Sequence, residues 1–334
     1  MRKFFGYILA IFICCLFASC EKVVEWVDSY TGEPFAIARF DRLQNELGVT
    51  GNFSTMQRMS TEFPGQTQIL IEDVLEIGSV TDPDIKDKLE YCLSDTAMLL
   101  LMADGEQKFG NMEKLTRQFA KAIKQMNKEF PQLKTPRVYA QFSGLNESVI
   151  VSDSLLGFSL DKYLGTDYPV YKKYFYDNQI VSMNPERIVT DCIFFYLKDK
   201  YPLPEHSAGT LLDNMVNLGK LNWITMSITG NKRIEDHLGY TSADMEWIRE
   251  NNQMLLGYVE SHKLSTDPQV LRGLLNPISS VRFAEGDSPA LLGAWVGYQM
   301  VSRYMKDHKR VSLQELAASD NLSEIASSFN FNLD

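Results

Sequence analysis

The chain has 334 residues, 45% hydrophobic and 23% charged, with a formal net charge of −10. That composition is globular, supplies a real core for one large domain or two modest ones, and is not that of a disordered chain. The Lys and Arg are scattered and no basic stretch is interleaved with aromatics, so nucleic-acid binding is not expected and the charge reads as solvated surface.

The N-terminus, MRKFFGYILAIFICCLFASC, has a basic start at Arg2 and Lys3, an apolar run from Phe4 to Phe17, then Ala18, Ser19 and Cys20. This is the layout of a secretory signal peptide, and the run is shorter than the roughly 20 residues a membrane span needs. Its ending resembles a bacterial lipobox, with Phe17 where Leu is commoner. The expectation is cleavage after residue 19 and acylation of Cys20; a plain secreted protein is the alternative. Losing residues 1–19 removes Arg2 and Lys3 and no acid, which takes the formal charge from −10 to −12. Cys92 and Cys192 remain, both in apolar helix-like segments that suit buried free thiols, with a disulfide as the other possibility.

Residues 20–34 read as the acylated cysteine and a tether, and 35–334 as a single globular domain. Phe35, Ile37, Ala38, Phe40 and Leu43 predict an amphipathic helix. Asp82 before Pro83 predicts a capped helix over 83–93. Met112, Leu115, Phe119, Ala122, Ile123 and Met126 recur at three and four residues, with Lys and Gln on the other face, and Pro131 ends that helix. Two β-rich runs, Val138–Phe142 and Ser148–Ser152, flank Gly144-Leu145-Asn146 and predict a hairpin. The following SLLGFSLDKYLGTDYPVYKKYF reads as loops and a short helix dense in tyrosine. From residue 185 the chain is helical, with helices near 185–199, 208–229, 241–260, 267–274, 288–306, 312–318 and 322–328. Asn184 and Ser288 are the expected caps ahead of Pro185 and Pro289. The glycines of GAWVGYQ, at 293 and 297, lie on a helix and read as sites of close helix packing.

Chemistry-bearing motifs are sparse. His206, His237, His262 and His308 form no H-x-x-x-H pair and read as structural. There is no nucleophile elbow and no phosphate-cradling glycine loop, and Cys192 reads as buried and unreactive. One detail stands out. PERIVTDCIFFYLKD is an apolar helix carrying Arg187 and Asp191 one turn apart, with Asp191 on the stripe of Ile188 and Phe195. A carboxylate pointing inward there needs a partner.

Taken together, the lipobox, ARFDRL, YAQFSGLNESVIVSDSLLGFSLDKYLGTDY, MNPERIVTDCIFFY, LLDNMVNLGKLNW, GYTSADMEWIRENNQMLLGYV and DSPALLGAWVGYQMVSRYM resemble the gliding motility lipoprotein family GldB of Bacteroidota across nearly all of the mature chain. That family is similar in turn to zinc metalloproteases of the gluzincin kind, in which a helix carries H-E-x-x-H and a later helix a Glu before a Gly. On that alignment Arg187 and Ile188 stand for the first His and the Glu, Asp191 for the second His, and Leu218 for the later Glu before Gly219. None but Asp191 offers a cation ligand. The resemblance therefore implies an α+β, predominantly helical chain: a helical part over 35–130, then a degenerate zincin-like part over 131–334 with a small β-sheet or hairpin and a helical C-terminal half. It also implies no metalloprotease chemistry, no cofactor, and an anchored envelope component, at the outer membrane, with protein partners in gliding and the linked secretion machinery. Two alternatives stay open. One is a pseudo-enzyme that recognises a peptide or glycan in a cleft lined by Arg187, Asp191, Lys220 and Trp223; the other is a hydrolase that uses acids only, or a metal bound by carboxylates. The tyrosines of 163–176 are either a contact surface or half-buried loop anchors.

Overall fold

Four short strands, β1 (Ala38–Arg39), β2 (Arg137–Gln141), β3 (Val149–Val151) and β4 (Leu155–Ser159), form one mixed sheet in the order β1-β2-β4-β3. The computed structural model describes residues 35–283 and 286–331. The leader, Cys20 and the tether lie outside the described residues. β1, β2 and β4 run parallel, with Ala38 opposite Tyr139 and Arg137 to Gln141 opposite Leu155 to Ser159. β3 closes the far edge antiparallel to β4.

This pairing corrects the expected hairpin. The runs at 138–142 and 148–152 are not partners, because β4 lies between them, and the hairpin joins β3 to β4 through Ser152 N donating to Leu155 O at 3.0 Å. β4 escaped notice because all five of its residues are buried, so it has no polar alternation to betray it. Its Gly157 is where the Tyr139 ring lies across the strand; a Cβ there would run into that ring. The loop expected to turn the hairpin is instead gathered by the buried Asp161, whose carboxylate accepts from Ser143 N at 3.0 Å and from Leu145 N at 2.5 Å.

The N-terminal helices are α1 (Phe40–Thr50), α2 (Phe53–Glu62), α3 (Ile85–Leu93), α4 (Thr96–Phe109) and α5 (Glu113–Glu129). The first starts later than expected because Ala38 and Arg39 are taken into the sheet. Asp82 does not cap α3; its carboxylate accepts from Ser79 N, and the helix begins at Ile85. In α5 the periodic apolar residues are the buried ones, and Phe119 stacks on Phe158 of β4 at 5.6 Å.

Beyond residue 185 come α6 (Ile188–Lys200), α7 (Leu211–Thr229), α8 (Ser242–Glu250), α9 (Asn252–His262), α10 (Pro268–Leu275) and α11 (Leu292–Asp307). The helix expected over 241–260 is broken at Asn251. Asn184 does not cap α6; its amide donates to Val181 O at 3.0 Å, and a 3-10 turn, Pro185–Arg187, leads in. Ser288 does not cap α11 either, since its hydroxyl accepts from Val281 N at 3.1 Å. Cys92 and Cys192 are free thiols. The whole is α+β and predominantly helical, as expected. No helix among the described residues is long and apolar enough to cross a membrane.

Gly297 of α11 does what its placement suggested, against a glycine of α7. Gly219 faces Gly297, and a Cβ on Gly297 would overlap the backbone of Met215. Two backbones in contact admit no methyl group without separating the helices. Gly297→Ala is expected to lower stability by about 1–3 kcal/mol or more. In urea unfolding its midpoint falls with the slope unchanged; a midpoint within error of the parent would show that the crossing is loose.

Candidate functional site: a cleft above a buried ion pair

Arg187 ends the 3-10 turn and Asp191 lies one turn further, within the first turn of α6. Arg187 Nη2 donates to Asp191 Oδ1 at 2.6 Å, and the Tyr163 hydroxyl donates to Asp191 Oδ2 at 3.1 Å. Arg187 Nη1 donates to the backbone carbonyl of His237. The two charged side chains are only 17% and 14% exposed. This differs from the few tenths of a kcal/mol that an exposed pair contributes: removing one partner of a buried pair costs about 3–5 kcal/mol because the other is stranded.

His237 sits on the short helix Ile234–Leu238 and is 3% exposed. Its tautomer follows from its neighbour. The Asn222 amide nitrogen donates to Leu218 O at 2.9 Å, so its oxygen must accept from His237 Nε2, 2.8 Å away. Nδ1 then carries a lone pair, buried and without a hydrogen-bond partner among the described residues. Burial, reinforced by the Arg187 charge, pushes this imidazole down to about 3, so it is neutral at ordinary pH. Burial has the opposite effect on the Asp191 carboxyl, raising it above its usual range while Arg187 and Tyr163 pull it back.

Above this floor opens a cleft of about 500 Å³. One wall is the start of β3 with the loop before it, from Asn146 to Val149; another comes from α6 at Phe195, and a third from Leu218 and Asn222 of α7. Lys162 enters from beyond β4, with its amine 3.1 Å from Leu145 O and 4.1 Å over the Phe175 ring; burial lowers its basicity. Of the residues expected to line a cleft, Arg187 and Asp191 do so. Lys220 and Trp223 do not. Lys220 points to the other side of α7, where its amine donates to Ser319 O at 2.6 Å and burial pushes it down to about 8. Trp223 packs on Tyr298 at 5.5 Å. Ile188 is fully buried in the core, and Phe195, expected to share an inward stripe with Asp191, is 40% exposed at the rim.

The tyrosines divide between the two readings given to them. Tyr163 and Tyr171 are buried, and Tyr168 and Tyr171 donate to Asp104 and to the Asp161 carbonyl, both at 2.7 Å. Tyr174 and Tyr176 are 67% and 72% exposed, on either side of the cleft-lining Phe175. Among the described residues no group of three or more His, Cys, Asp and Glu side chains converges to hold a metal ion. In sequence, His237 reads only as structural, Tyr163 only as part of the tyrosine-rich stretch, and Asn222 goes unremarked. Only Asn222 carries a signal that could have found it, four residues after Leu218 and so on the same helix face.

The floor imposes opposite pH dependences. An unfolded His237 takes its proton near 6.5 and the folded one near 3, so stability falls by about 1.4 kcal/mol per pH unit as pH drops through that window. Asp191 is raised above 3.8, so its share of stability recovers as pH falls toward 3.8. Urea unfolding from pH 7 to 3.5 is expected to show a shallower acid loss in His237→Gln and a steeper one in Asp191→Asn. Parallel curves for all three proteins would mean that neither group titrates as placed.

A family model described as gliding motility protein GldB matches residues 25–331. No curated protein and no solved structure matches the chain. With the match running through nearly all of the sequence, and through each element of the cleft, the chain belongs to the GldB family of gliding motility proteins.

Proposed function

We propose that this protein is an envelope component, acylated at Cys20 and held at the outer membrane, that takes an extended segment of a partner protein into its cleft without cutting it. Membership of the GldB family ties that role to gliding motility. The observation that carries the reading is the outer edge of β3, which no strand among the described residues covers. Ser159 N donates to Ser148 O and Ser152 N to Leu155 O, so the hydrogen-bonded pairs of this ladder are Ser148, Ile150 and Ser152 with Ser159, Gly157 and Leu155. Val149 and Val151 therefore direct their N–H and C=O away from β4, and Val149 lines the cleft. An open strand edge beside an apolar rim is the surface that an extended peptide pairs with.

The donor set supports a role without catalysis. Arg187 and Asp191 neutralise each other, Leu218 has no ligand atom, and the one histidine at the cleft is buried and already bonded through Nε2. The degenerate zincin-like frame is supported by placement: of the positions aligned with a zinc site, Arg187 of the turn before α6, Asp191 of α6 and Leu218 of α7 line the same cleft, while Ile188 lies in the core.

A photo-crosslinking residue at Phe195 in the full chain, in cells, is expected to capture an envelope protein, while one at the exposed Tyr91 is not. Val149→Pro removes an outward N–H for which the described residues supply no partner, and is expected to keep the fold but abolish capture. Capture that survives Val149→Pro in a folded protein would overturn the edge-pairing mode. Stoichiometric zinc in protein purified from cells would overturn the non-catalytic one.

A further inference from the structure

We infer that α5 is a cationic docking face that lays the domain against an anionic lipid surface. The charge of this chain is unevenly placed. From Lys108 to Arg137 the sequence carries eight Lys and Arg against two Glu, within a chain of net charge −10. Five of these residues, Lys114, Arg117, Lys121, Lys124 and Lys128, follow one another at alternating intervals of three and four along α5 and are all exposed. They form one stripe, about 21 Å long at 1.5 Å per residue. The opposite face is anchored by Leu115, Phe119, Ile123 and Met126, so the stripe is held on a rigid support. A solvated helix face ordinarily mixes signs at one-turn spacing. Here the acids of the helix are Glu113, which pairs with Arg117, and Glu129 at its last residue.

What such a stripe would meet follows from where the chain enters the fold. β1 begins at Ala38, paired with Tyr139, two residues beyond the exposed Arg137 and just past the exposed Lys134. The entry point therefore lies at the end of the sheet that α5 leads into. Fourteen residues, 21–34, separate Cys20 from Phe35, a reach of at most about 50 Å. Given the acyl anchor at Cys20, on which this inference rests, the most basic part of the protein is confined within reach of the bilayer. Anionic headgroups attract each lysine that comes within a Debye length.

The test uses the mature chain purified from cells, on vesicles of phosphatidylcholine alone and on vesicles with about 30% phosphatidylglycerol. Flotation with the phosphatidylcholine vesicles reads the anchor. Labelling by an amine-reactive reagent reads the face. Lys114, Lys121 and Lys128 are expected to label about fivefold more slowly on the anionic vesicles, with the difference lost at about 0.5 M salt. The exposed Lys232 and Lys309 should label alike on both. Lys121→Glu combined with Lys124→Glu leaves the buried face untouched; this variant should still float but lose protection at Lys114 and Lys128. Equal labelling of the stripe on both vesicles overturns the docking face whether or not the chain floats. Failure to float with phosphatidylcholine overturns the anchor alone, and the anionic vesicles then still decide the face. Protection in native envelopes but none on anionic vesicles would assign the stripe to an acidic protein and overturn the lipid surface.

Discussion

A carboxylate taken out of water must be given partners, and the partners of Asp191 come from separate parts of the chain. Arg187 belongs to the turn that opens α6, Tyr163 to the segment beyond β4, and the His237 carbonyl that holds the other guanidinium nitrogen to the helix Ile234–Leu238. His237 in turn holds Asn222 of α7. One buried charge thus fixes how the sheet, α6, α7 and the short helix meet, which is the geometry of the cleft. The cost of leaving any of these groups unpaired in a low-dielectric setting gives the network its rigidity. Two atoms of this floor, Arg187 Nε and His237 Nδ1, are buried without a hydrogen-bond partner among the described residues.

The Arg187–Asp191 pair was legible because it is local, two residues four apart in the chain. Tyr163 and His237 were not, since they lie 28 and 50 residues from their partners and no spacing marks them. On α7 the error was of a different kind. Lys220 and Trp223 look suited to a cleft by type, yet they stand two and five residues from Leu218, and helical periodicity turns them away. Asn222, at four, is the residue that periodicity places in the cleft. The missed β4 makes the complementary point. Periodicity finds strands that are buried on one face, and a central parallel strand buried on both offers only an apolar run around a glycine. The long amphipathic α5 and the glycine-mediated crossing of α7 and α11 were readable for the converse reason, since one face of each pattern has a single physical use.

The sheet has two unlike ends. Val149 pairs with Phe158, so the cleft opens near the C-terminal end of β4, where the parallel strands of open sheets commonly present their ligand sites. Arg137 pairs with Leu155, so the start of β2, beside the chain entry and the basic residues that follow α5, lies at the N-terminal end. A protein held by its N-terminus and steadied by its basic end would turn the cleft away from the bilayer. The open edge of β3 would then face partners that approach from the aqueous side. Such an arrangement separates two demands that conflict on one surface. Lipid attraction needs exposed cations, whereas pairing an extended segment needs a self-neutralised floor. The fold meets the first with the solvent face of one helix and the second with Arg187 and Asp191; α5 turns its buried face to α6 and α7, so the stripe points away from both.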